Sequence, residues 1–407
     1  MHIEYPRAVG EILDRLHRAG YEAHIVGGSL RDSMLGRTPH DWDVTTSALP
    51  EQTLEVFSSS RTLTTGIKHG TITVLAEENG EPLPVEITTY RIDGEYADAR
   101  HPTEVTFTRS IADDLARRDF TVCAMAWSPY GPGDGLVDLF CGRDDLDARI
   151  IRCVGEPKLR FREDALRILR AYRFAAELSF DIDPATRAAA NLCAELLSRI
   201  SAERICAELS RTVVAPNAVR AMTMMAEDSV LASILPSVTH AEIAALDTLP
   251  PILSLRLAAL LHHESLTQAA DALLKLRFSN EVIRRVGAAL ALRDFPLGED
   301  LALTARRLLR EGGLTAAEDV LALRSAFGEP TEGYSSALGQ ARERGDCTDL
   351  AHLALNGQDL AALGIPRGPI IGRLLNHLLN AVIEEPARND REQLTALVLA
   401  WKDAPNI

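Results

Sequence analysis

Long hydrophobic runs are missing from this chain of 407 residues. No stretch approaches the roughly 18 uncharged apolar residues of a membrane-spanning helix, so no membrane partner is expected. The first residues lack the basic, apolar and small-residue regions of a signal peptide, which predicts a cytoplasmic location. The length leaves room for two to four domains, and a hydrophobic content of 46% is ordinary for a globular protein.

Cysteine is scarce, and its spacing excludes two classes of site. None of the six cysteines forms a C-x-x-C pair, which argues against a zinc site and against a disulfide framework. Residues 257–264 hold His262 and His263 but no His-Asp pair. We therefore expect no second, hydrolytic metal site in that segment.

Positive charge is also in short supply. The formal net charge is −15, which by itself argues against a nucleic-acid partner. Binding depends, however, on where the charge sits. Residues 149–173 contain eight basic and three acidic residues, a net charge of +5. A basic cleft in an acidic body is compatible with RNA held in one groove.

What the sequence does contain is a pair of aspartates, Asp41 and Asp43, shortly after a glycine-rich turn at Gly27 and Gly28. In an extended strand, residues i and i+2 point to the same face, about 7 Å apart along the chain. Carboxylates so placed suit Mg²⁺ that is bound jointly by protein and substrate phosphates. The glycines let backbone amides approach an anion, and Arg31 adds a bidentate donor.

Each of these features has an ordinary alternative. Asp-x-Asp is common on solvated strands, and Gly-Gly is common in turns. Their occurrence together in one short segment favours a metal and phosphate site over either alternative.

The hydrophobic periodicity predicts a small α+β domain followed by helices. Residues 6–19 show an amphipathic helical pattern, and residues 80–84 resemble a hairpin connection. The mixed region ends near Gly142, and beyond about residue 155 the composition predicts helix without a fixed-period repeat. The predicted strands are residues 23–26, 42–45, 71–76, 85–90 and 104–106.

Two further segments carry charge in patterns that suit a nucleotide. In residues 117–125, Arg117 and Arg118 could reach phosphate while Phe120 and Met125 join the core; a surface charge cluster is the alternative. Residues 162–174 predict one helix with a winding polar stripe, because charged residues recur three apart. The stripe consists of Asp164, Arg167, Arg170 and Arg173.

An Asp–Arg neighbour pair such as Asp164 and Arg167 can read the edge of a base. The carboxylate accepts from an exocyclic amine, and the guanidinium donates to the adjacent ring nitrogen. Cytosine and adenine offer that order, whereas uracil offers the opposite order and guanine differs on its pairing edge. Such a pair would admit CTP and ATP without a nucleic-acid template. The alternative is an ordinary (i, i+3) salt bridge.

At these segments together the chain resembles the tRNA nucleotidyltransferases, the CCA-adding enzymes of the bacterial and eukaryotic type in the polymerase-beta superfamily. The related bacterial poly(A) polymerases share much of the pattern. Four ordered motifs make the resemblance specific, and it spans nearly the whole chain. The matching stretches are residues 27–43, 117–121, 163–173 and 201–209, and more weakly 275–280 and 356–372.

The resemblance implies a fold and a reaction. The fold is a polymerase-beta-like nucleotidyltransferase head (residues 1–142) with an elongated all-helical neck (143–210), body (211–320) and tail (321–407). The reaction is the addition of C, C and A to the 3′ end of tRNA from CTP and ATP, with release of pyrophosphate and with Mg²⁺ as the cofactor. The implied partner is tRNA, held at its 3′ end and elbow, and no DNA is expected.

The resemblance also implies roles for residues of the head. Asp41 and Asp43 would hold the metals, with Glu86 as a third acidic residue beside them. Gly28 and Arg31 would contact the incoming triphosphate.

Further roles are implied around the nucleotide. Arg118 would line its pocket, and Asp164 with Arg167 would template the base. Arg170 and Arg173 would support the template or the phosphates.

One position departs from the family pattern. Relatives usually have Asn where this chain has Cys123, and that Asn is expected to recognise the ribose. A thiol is a weaker hydrogen-bond partner. Ribose discrimination is therefore expected to be relaxed or supplied by another group.

Three alternatives to the complete reaction stay open. Some relatives add only CC and others only the final A; the CC-only relatives carry a shortened loop, and residues 94–102 contain the loop in full, which favours complete addition. A poly(A) polymerase is the nearer enzymatic alternative. A non-catalytic RNA-binding protein on the same scaffold is the third, and the intact acidic and templating residues argue against it.

Overall fold

The computed structural model describes residues 3–94 and 105–402, so nearly all of the predicted loop at 94–102 lies outside the described residues. The chain divides into two compact units, Met1–Pro236 and Ser237–Ile407. The finer division into head, neck, body and tail stays a prediction.

The strands lie in the first unit. They are β1 (Ala23–Val26), β2 (Trp42–Thr46), β3 (Thr62–Leu63), β4 (Thr71–Glu78), β5 (Glu81–Thr89), β6 (Arg91–Asp93), β7 (Val105–Phe107), β8 (Met125–Trp127), β9 (Leu136–Asp138), β10 (Ile150–Ile151) and β11 (Asp181–Ile182). Seven of them form a mixed sheet in the order β3-β4-β5-β2-β1-β8-β9. β6 pairs with β7 and β10 with β11 in two small separate sheets.

In the sequence of the first unit, helices lie between the strands and also follow the last strand of the seven-stranded sheet. Those of the first unit are α1 (Arg7–Arg18), α2 (Gly27–Met34), α3 (Pro50–Val56), α4 (Ile111–Ala116), α5 (Gly142–Ala148), α6 (Pro157–Glu163), α7 (Leu166–Leu178), α8 (Pro184–Cys193), α9 (Ala202–Val214) and α10 (Ala218–Glu227). The predicted amphipathic helix is confirmed as α1, which buries Val9, Ile12, Leu13 and Leu16.

The second unit contains helices packed around apolar clusters. They are α11 (His240–Ala245), α12 (Leu253–Leu260), α13 (Leu266–Lys275), α14 (Asn280–Ala291), α15 (Leu301–Ala326), α16 (Tyr334–Arg344), α17 (Gly357–Ala362), α18 (Pro369–Glu384) and α19 (Arg391–Lys402). α15 is interrupted at Gly313, where φ is 69°. One cluster includes Leu308 and Leu338, and another includes Leu378 and Leu394. None of the described helices combines the length and apolar character needed to cross a bilayer.

The hairpin of β4 and β5 corrects one prediction. Its turn is Asn79-Gly80, and both residues have positive φ, which suits a two-residue hairpin turn. β5 begins at Glu81, so Pro82 and Pro84 belong to the strand and not to the connection. β2 pairs with β5 only from Val85 onward. In this register the prolines lie before the first residue of β2. Their missing N–H groups therefore cost no hydrogen bond to that strand.

The predicted helix at 162–174 is wrong at Asp164. α6 ends at Glu163, Asp164 is extended with φ −141° and ψ 104°, and α7 begins at Leu166. The Asp164 carboxylate accepts the Leu166 N–H at 3.0 Å. Short polar side chains favour such helix ends over helix interiors, because they bond the first free amides. Asp164 therefore projects from a bend and not from the polar stripe.

Two short strands that the sequence analysis missed, β8 and β9, complete the sheet beyond β1. Each has three residues, which is too short for alternation to be visible. Phe120 and Met125 are fully buried, as predicted. The α+β head followed by helices is thus confirmed.

Candidate active site

Three carboxylates lie close enough to interact at the paired strands β2 and β5. β2 runs parallel to β5, and the register sets Asp43 opposite Glu86. The strand residues that flank these two are buried, whereas Glu86 is exposed and Asp43 is half-buried. Asp41, two residues before Asp43, is exposed as well. Alternation along β2 and β5 therefore directs Asp43 and Glu86 away from the core, and Asp41 lies just before β2 begins.

The charges in this acidic cluster (Asp41, Asp43 and Glu86) repel each other. The pKa of Asp43 is raised to about 6, first by burial; Arg118 opposes the rise, while Glu86 and Asp41 add to it. Within residues 3–94 and 105–402, no group of three or more His, Cys, Asp or Glu residues is placed to hold a metal ion. The oxygen donors do fit a hard divalent cation whose coordination is completed by substrate phosphates, and such a cation would relieve the repulsion.

Gly27 joins the end of β1 to the start of α2 and faces the acidic cluster. Its φ is +71°, and a Cβ added there would lie 3.1 Å from Nη1 of Arg118 and 3.6 Å from Oδ2 of Asp43. At Gly28 a Cβ would meet only an ordinary contact, 3.8 Å from Nη2 of Arg31. The strict need for glycine therefore falls on Gly27, and the predicted contact of Gly28 with the triphosphate stays a prediction.

A buried aspartate that sequence reasoning missed holds Arg118 in place. Asp114 on α4 is fully buried and accepts hydrogen bonds from Arg117 (2.7 Å), Arg118 (3.3 Å) and Thr45 of β2 (3.1 Å). Burial alone would raise the pKa of Asp114, but the guanidiniums of Arg118 and Arg117 hold it below its usual value. The i, i+3 and i, i+4 spacing from Asp114 to the two arginines was the available signal.

The guanidinium of Arg118 has one nitrogen that forms no hydrogen bond. Its Nε is buried and has no hydrogen-bond partner. A buried donor of this kind is costly unless something bonds it. Arg118 thus offers donors next to Asp43, as expected of a residue that lines a nucleotide pocket.

Arg31 is a buried residue of α2. It forms an ion pair with Asp32 at 2.8 Å, and donates from Nη1 to Sγ of Cys123 at 3.3 Å. Burial raises the pKa of the Cys123 thiol, although the Arg31 guanidinium opposes this rise. Cys123 is therefore a neutral thiol that contacts the predicted triphosphate-binding arginine, and nothing marks it as a reactive nucleophile.

The two predicted base-reading residues flank the break between α6 and α7, with Asp164 just after α6 and Arg167 in the first turn of α7. Asp164 accepts two hydrogen bonds from Arg204 of α9, at 2.6 and 3.2 Å. Arg167 is buried, pairs with Glu163 at 2.7 Å and donates to the carbonyl of Arg117 at 2.9 Å. This last bond joins α7 to the Arg117–Arg118 segment. Arg204 lies in the 201–209 motif but was not singled out from the sequence.

Arg170 and Arg173 are held by acidic residues. Arg170 donates to Asp119 at 2.7 Å, so α7 is joined a second time to the segment that carries Arg118. Arg173 is almost fully buried and bonds Glu208 at 2.5 Å and Glu177 at 2.6 Å. Carboxylates thus fix both guanidiniums, and their support of the template or the phosphates stays a prediction.

Comparison with known proteins identifies the family. Residues 23–152 match the model described as poly A polymerase head domain, residues 179–242 a probable RNA- and SrmB-binding site of polymerase A, and residues 254–398 a putative tRNA nucleotidyltransferase domain 2. The CCA-adding enzyme of Geobacillus stearothermophilus is 37% identical over 404 residues, which cover 97% of this chain and 96% of that one. This chain belongs to the CCA-adding enzyme family.

Other members of the CCA-adding family agree. A CCA-adding enzyme of Streptococcus gordonii is 48% identical over 205 residues, half of this chain and 49% of that one. The crystal structure of the Bacillus stearothermophilus CCA-adding enzyme in complex with CTP superposes with a TM-score of 0.81 at 33% identity, covering 97% of both chains. The resemblance predicted from the sequence is confirmed, and with it the dependence on a divalent metal that nucleotidyltransferases of this family share.

Proposed function

We propose that this chain adds C, C and A in turn to the 3′ end of tRNA, using CTP and ATP and releasing pyrophosphate. The observation that carries the proposal is the pairing of β2 with β5, which sets Asp43 beside Glu86 with Gly27 and Arg118 against the same carboxylate. Nucleotidyl transfer needs acidic metal ligands next to cationic phosphate donors. The similarity to an enzyme solved with CTP supports the choice of nucleotide.

The metal ligands in this proposal are Asp41 and Asp43, with Glu86 beside them, and the cation is Mg²⁺ because all the donors are hard carboxylate oxygens. When bound, Mg²⁺ would supply a lower pKa for the attacking hydroxyl and neutralisation of the phosphate charge. The 3′-oxygen of tRNA forms a bond to the α-phosphorus, and the bond from that phosphorus to pyrophosphate breaks.

Basic groups of the first unit bind the triphosphate. Gly27, the first residue of α2, lies beside Asp43 and Arg118, and a helix N-terminus attracts anions. Arg118 offers its unbonded Nε, and Arg31 adds a guanidinium held between Asp32 and Cys123. Together they align the α-phosphate for in-line attack and compensate the negative charge of the leaving group.

Base selection rests on Asp164 and Arg167. A carboxylate can accept about four hydrogen bonds, so Asp164 can accept from an exocyclic amine while Arg204 keeps it in place. The contact of Arg167 with the Arg117 carbonyl holds the guanidinium beside the segment that carries Arg118. This arrangement supports a protein template that serves both CTP and ATP.

Three finer statements remain predictions from the sequence. The complete C, C, A reaction is favoured by the loop at 94–102. The tail, residues 321–407, is predicted to hold the tRNA elbow. The cytoplasm is the predicted location.

The decisive experiment measures incorporation of labelled CTP, ATP, UTP and GTP into purified tRNA that lacks its 3′ CCA, with Mg²⁺ and with EDTA. We expect metal-dependent addition of two C residues and then one A. Asp41→Ala should abolish incorporation without unfolding the protein. Asp147→Asn, at an exposed acidic residue of α5, is the matched control and should retain activity.

Other outcomes would point to the alternatives. Addition of CTP alone or ATP alone to this tRNA would indicate a CC-adding, A-adding or poly(A)-polymerase activity. Binding of tRNA without any incorporation would indicate a non-catalytic RNA-binding protein. Turnover retained in Asp41→Ala would contradict the assignment of the metal site.

A further inference from the structure

Phe174 of α7 lies among three guanidiniums. The Cζ atoms of Arg31, Arg170 and Arg173 are 4.8, 5.2 and 4.1 Å from the centroid of its ring. The ring is only 5% exposed, and Phe120 packs against it edge-on at 5.8 Å. A cation within about 6 Å of an aromatic face is attracted by the ring quadrupole, and more strongly so when water is excluded.

The three arginines differ in how firmly other groups hold them. Arg173 bonds two carboxylates, those of Glu208 and Glu177, and Arg170 bonds Asp119. Arg31 comes from a different element, α2; its chain neighbour Asp32 bonds Nε and Nη2, and Nη1 donates to the neutral thiol of Cys123. Because Asp32 is the chain neighbour of Arg31 and a thiol is a weak acceptor, the Phe174 ring contributes a substantial part of the restraint that other elements place on this guanidinium.

We propose that Phe174 is a positioning residue for nucleotide binding, which acts by fixing the guanidinium of Arg31 toward the triphosphate. The inference rests on the proposed function, in which Arg31 binds the triphosphate. CTP and ATP carry the same triphosphate. Loss of the ring should therefore weaken the binding of CTP and of ATP by the same factor. A change at the base-reading residues should instead alter the ratio of the two affinities.

The test compares Phe174→Leu with Phe180→Leu. Phe180 is a ring of similar burial, 2% exposed, two residues beyond the end of the same helix, so it controls for the loss of a buried ring in this part of the fold. Phe174→Leu should raise KM for CTP and for ATP by about fivefold each, equivalent to about 1 kcal/mol, with kcat changed less than about twofold. Binding of CMP, which lacks the β- and γ-phosphates, should change much less. Phe180→Leu should leave both KM values near those of the unmodified protein.

A second arm shows whether Phe174 acts through Arg31. In an Arg31→Gln background, Phe174→Leu should have almost no further effect on the dissociation constant of CTP. An equal effect in both backgrounds, or an equal rise of KM in Phe180→Leu, would overturn the inference. If the unmodified protein binds CTP but incorporates nothing, the proposed function fails, and the dissociation constants still decide the role of Phe174.

Discussion

Replacing Gly27 with Ala is expected to cost far more activity than stability. The residue has φ +71°, and the added Cβ would lie 3.1 Å from Nη1 of Arg118. A contact as short as this forces the neighbouring group to move by a few tenths of an ångström. The neighbour here is a guanidinium already fixed by buried Asp114, and Asp43 lies 3.6 Å away on the same side.

The substitution is expected to lower stability and activity for two different structural reasons. The left-handed backbone costs an alanine about 1 kcal/mol, which lowers the melting temperature of a unit this size by about 2–4 °C. The displacement of Arg118 and Asp43 acts on phosphate alignment, where misplacement by about 1 Å costs on the order of a hundredfold in rate. A shift of a few tenths of an ångström should therefore lower kcat/KM by about tenfold.

Gly20→Ala is the matched control. Gly20 also has positive φ, +86°, but a Cβ there has nothing within 4 Å. It should show the same loss of stability in thermal melts and unchanged kcat/KM for CTP incorporation. If Gly27→Ala retains the kcat/KM of Gly20→Ala, the placement of Gly27 against the reacting groups is wrong.

Three further predictions follow from buried charges. Asp114→Asn should lower the free energy of unfolding by about 3–5 kcal/mol in urea titrations, because two guanidiniums lose their buried partner; a loss below 1 kcal/mol would contradict this. Arg167→Ala should reduce discrimination against UTP and GTP more than it weakens triphosphate binding, whereas Arg162→Ala, at an exposed position of α6, should leave discrimination intact. Burial lowers the pKa of His24 to about 4, from 6.5, so protonation favours the unfolded state. The contribution of His24 to the free energy of unfolding is therefore fully present above pH 6.5 and falls by about 3 kcal/mol as the pH drops toward 4. In urea titrations at pH 7 and pH 4, His24→Gln should show a free energy of unfolding that depends less on pH by this amount.

Much of the chemistry could be predicted from the sequence because it depends on local spacing. An extended chain at residues 41–43 predicted that Asp41 and Asp43 point the same way, whatever the strand packs against; in the structure β2 begins at Trp42, one residue after Asp41. The order of the four motifs indicated the family, which the comparison confirmed.

Other parts of the site depend on contacts between residues far apart in the chain. The pairing of Asp43 with Glu86 is set by the register of β2 on β5, and strand register comes from hydrogen bonds and packing that no local pattern reveals. The break at Asp164 was missed because the apolar periodicity of residues 162–174 suits an unbroken helix. Only the bond from its carboxylate to Leu166 and the pairing with Arg204 show the bend.

The sequence by itself determined which chemical groups this protein can use: carboxylates for a metal, arginines for phosphates, and an Asp and an Arg for a base edge. The tertiary structure decided which of them share a site. Phe174 of α7 lies against Arg31 from another element, and the same guanidinium donates to Cys123. The physical reason is that local periodicity sets the direction of a side chain on its own element, whereas its neighbours depend on how elements pack.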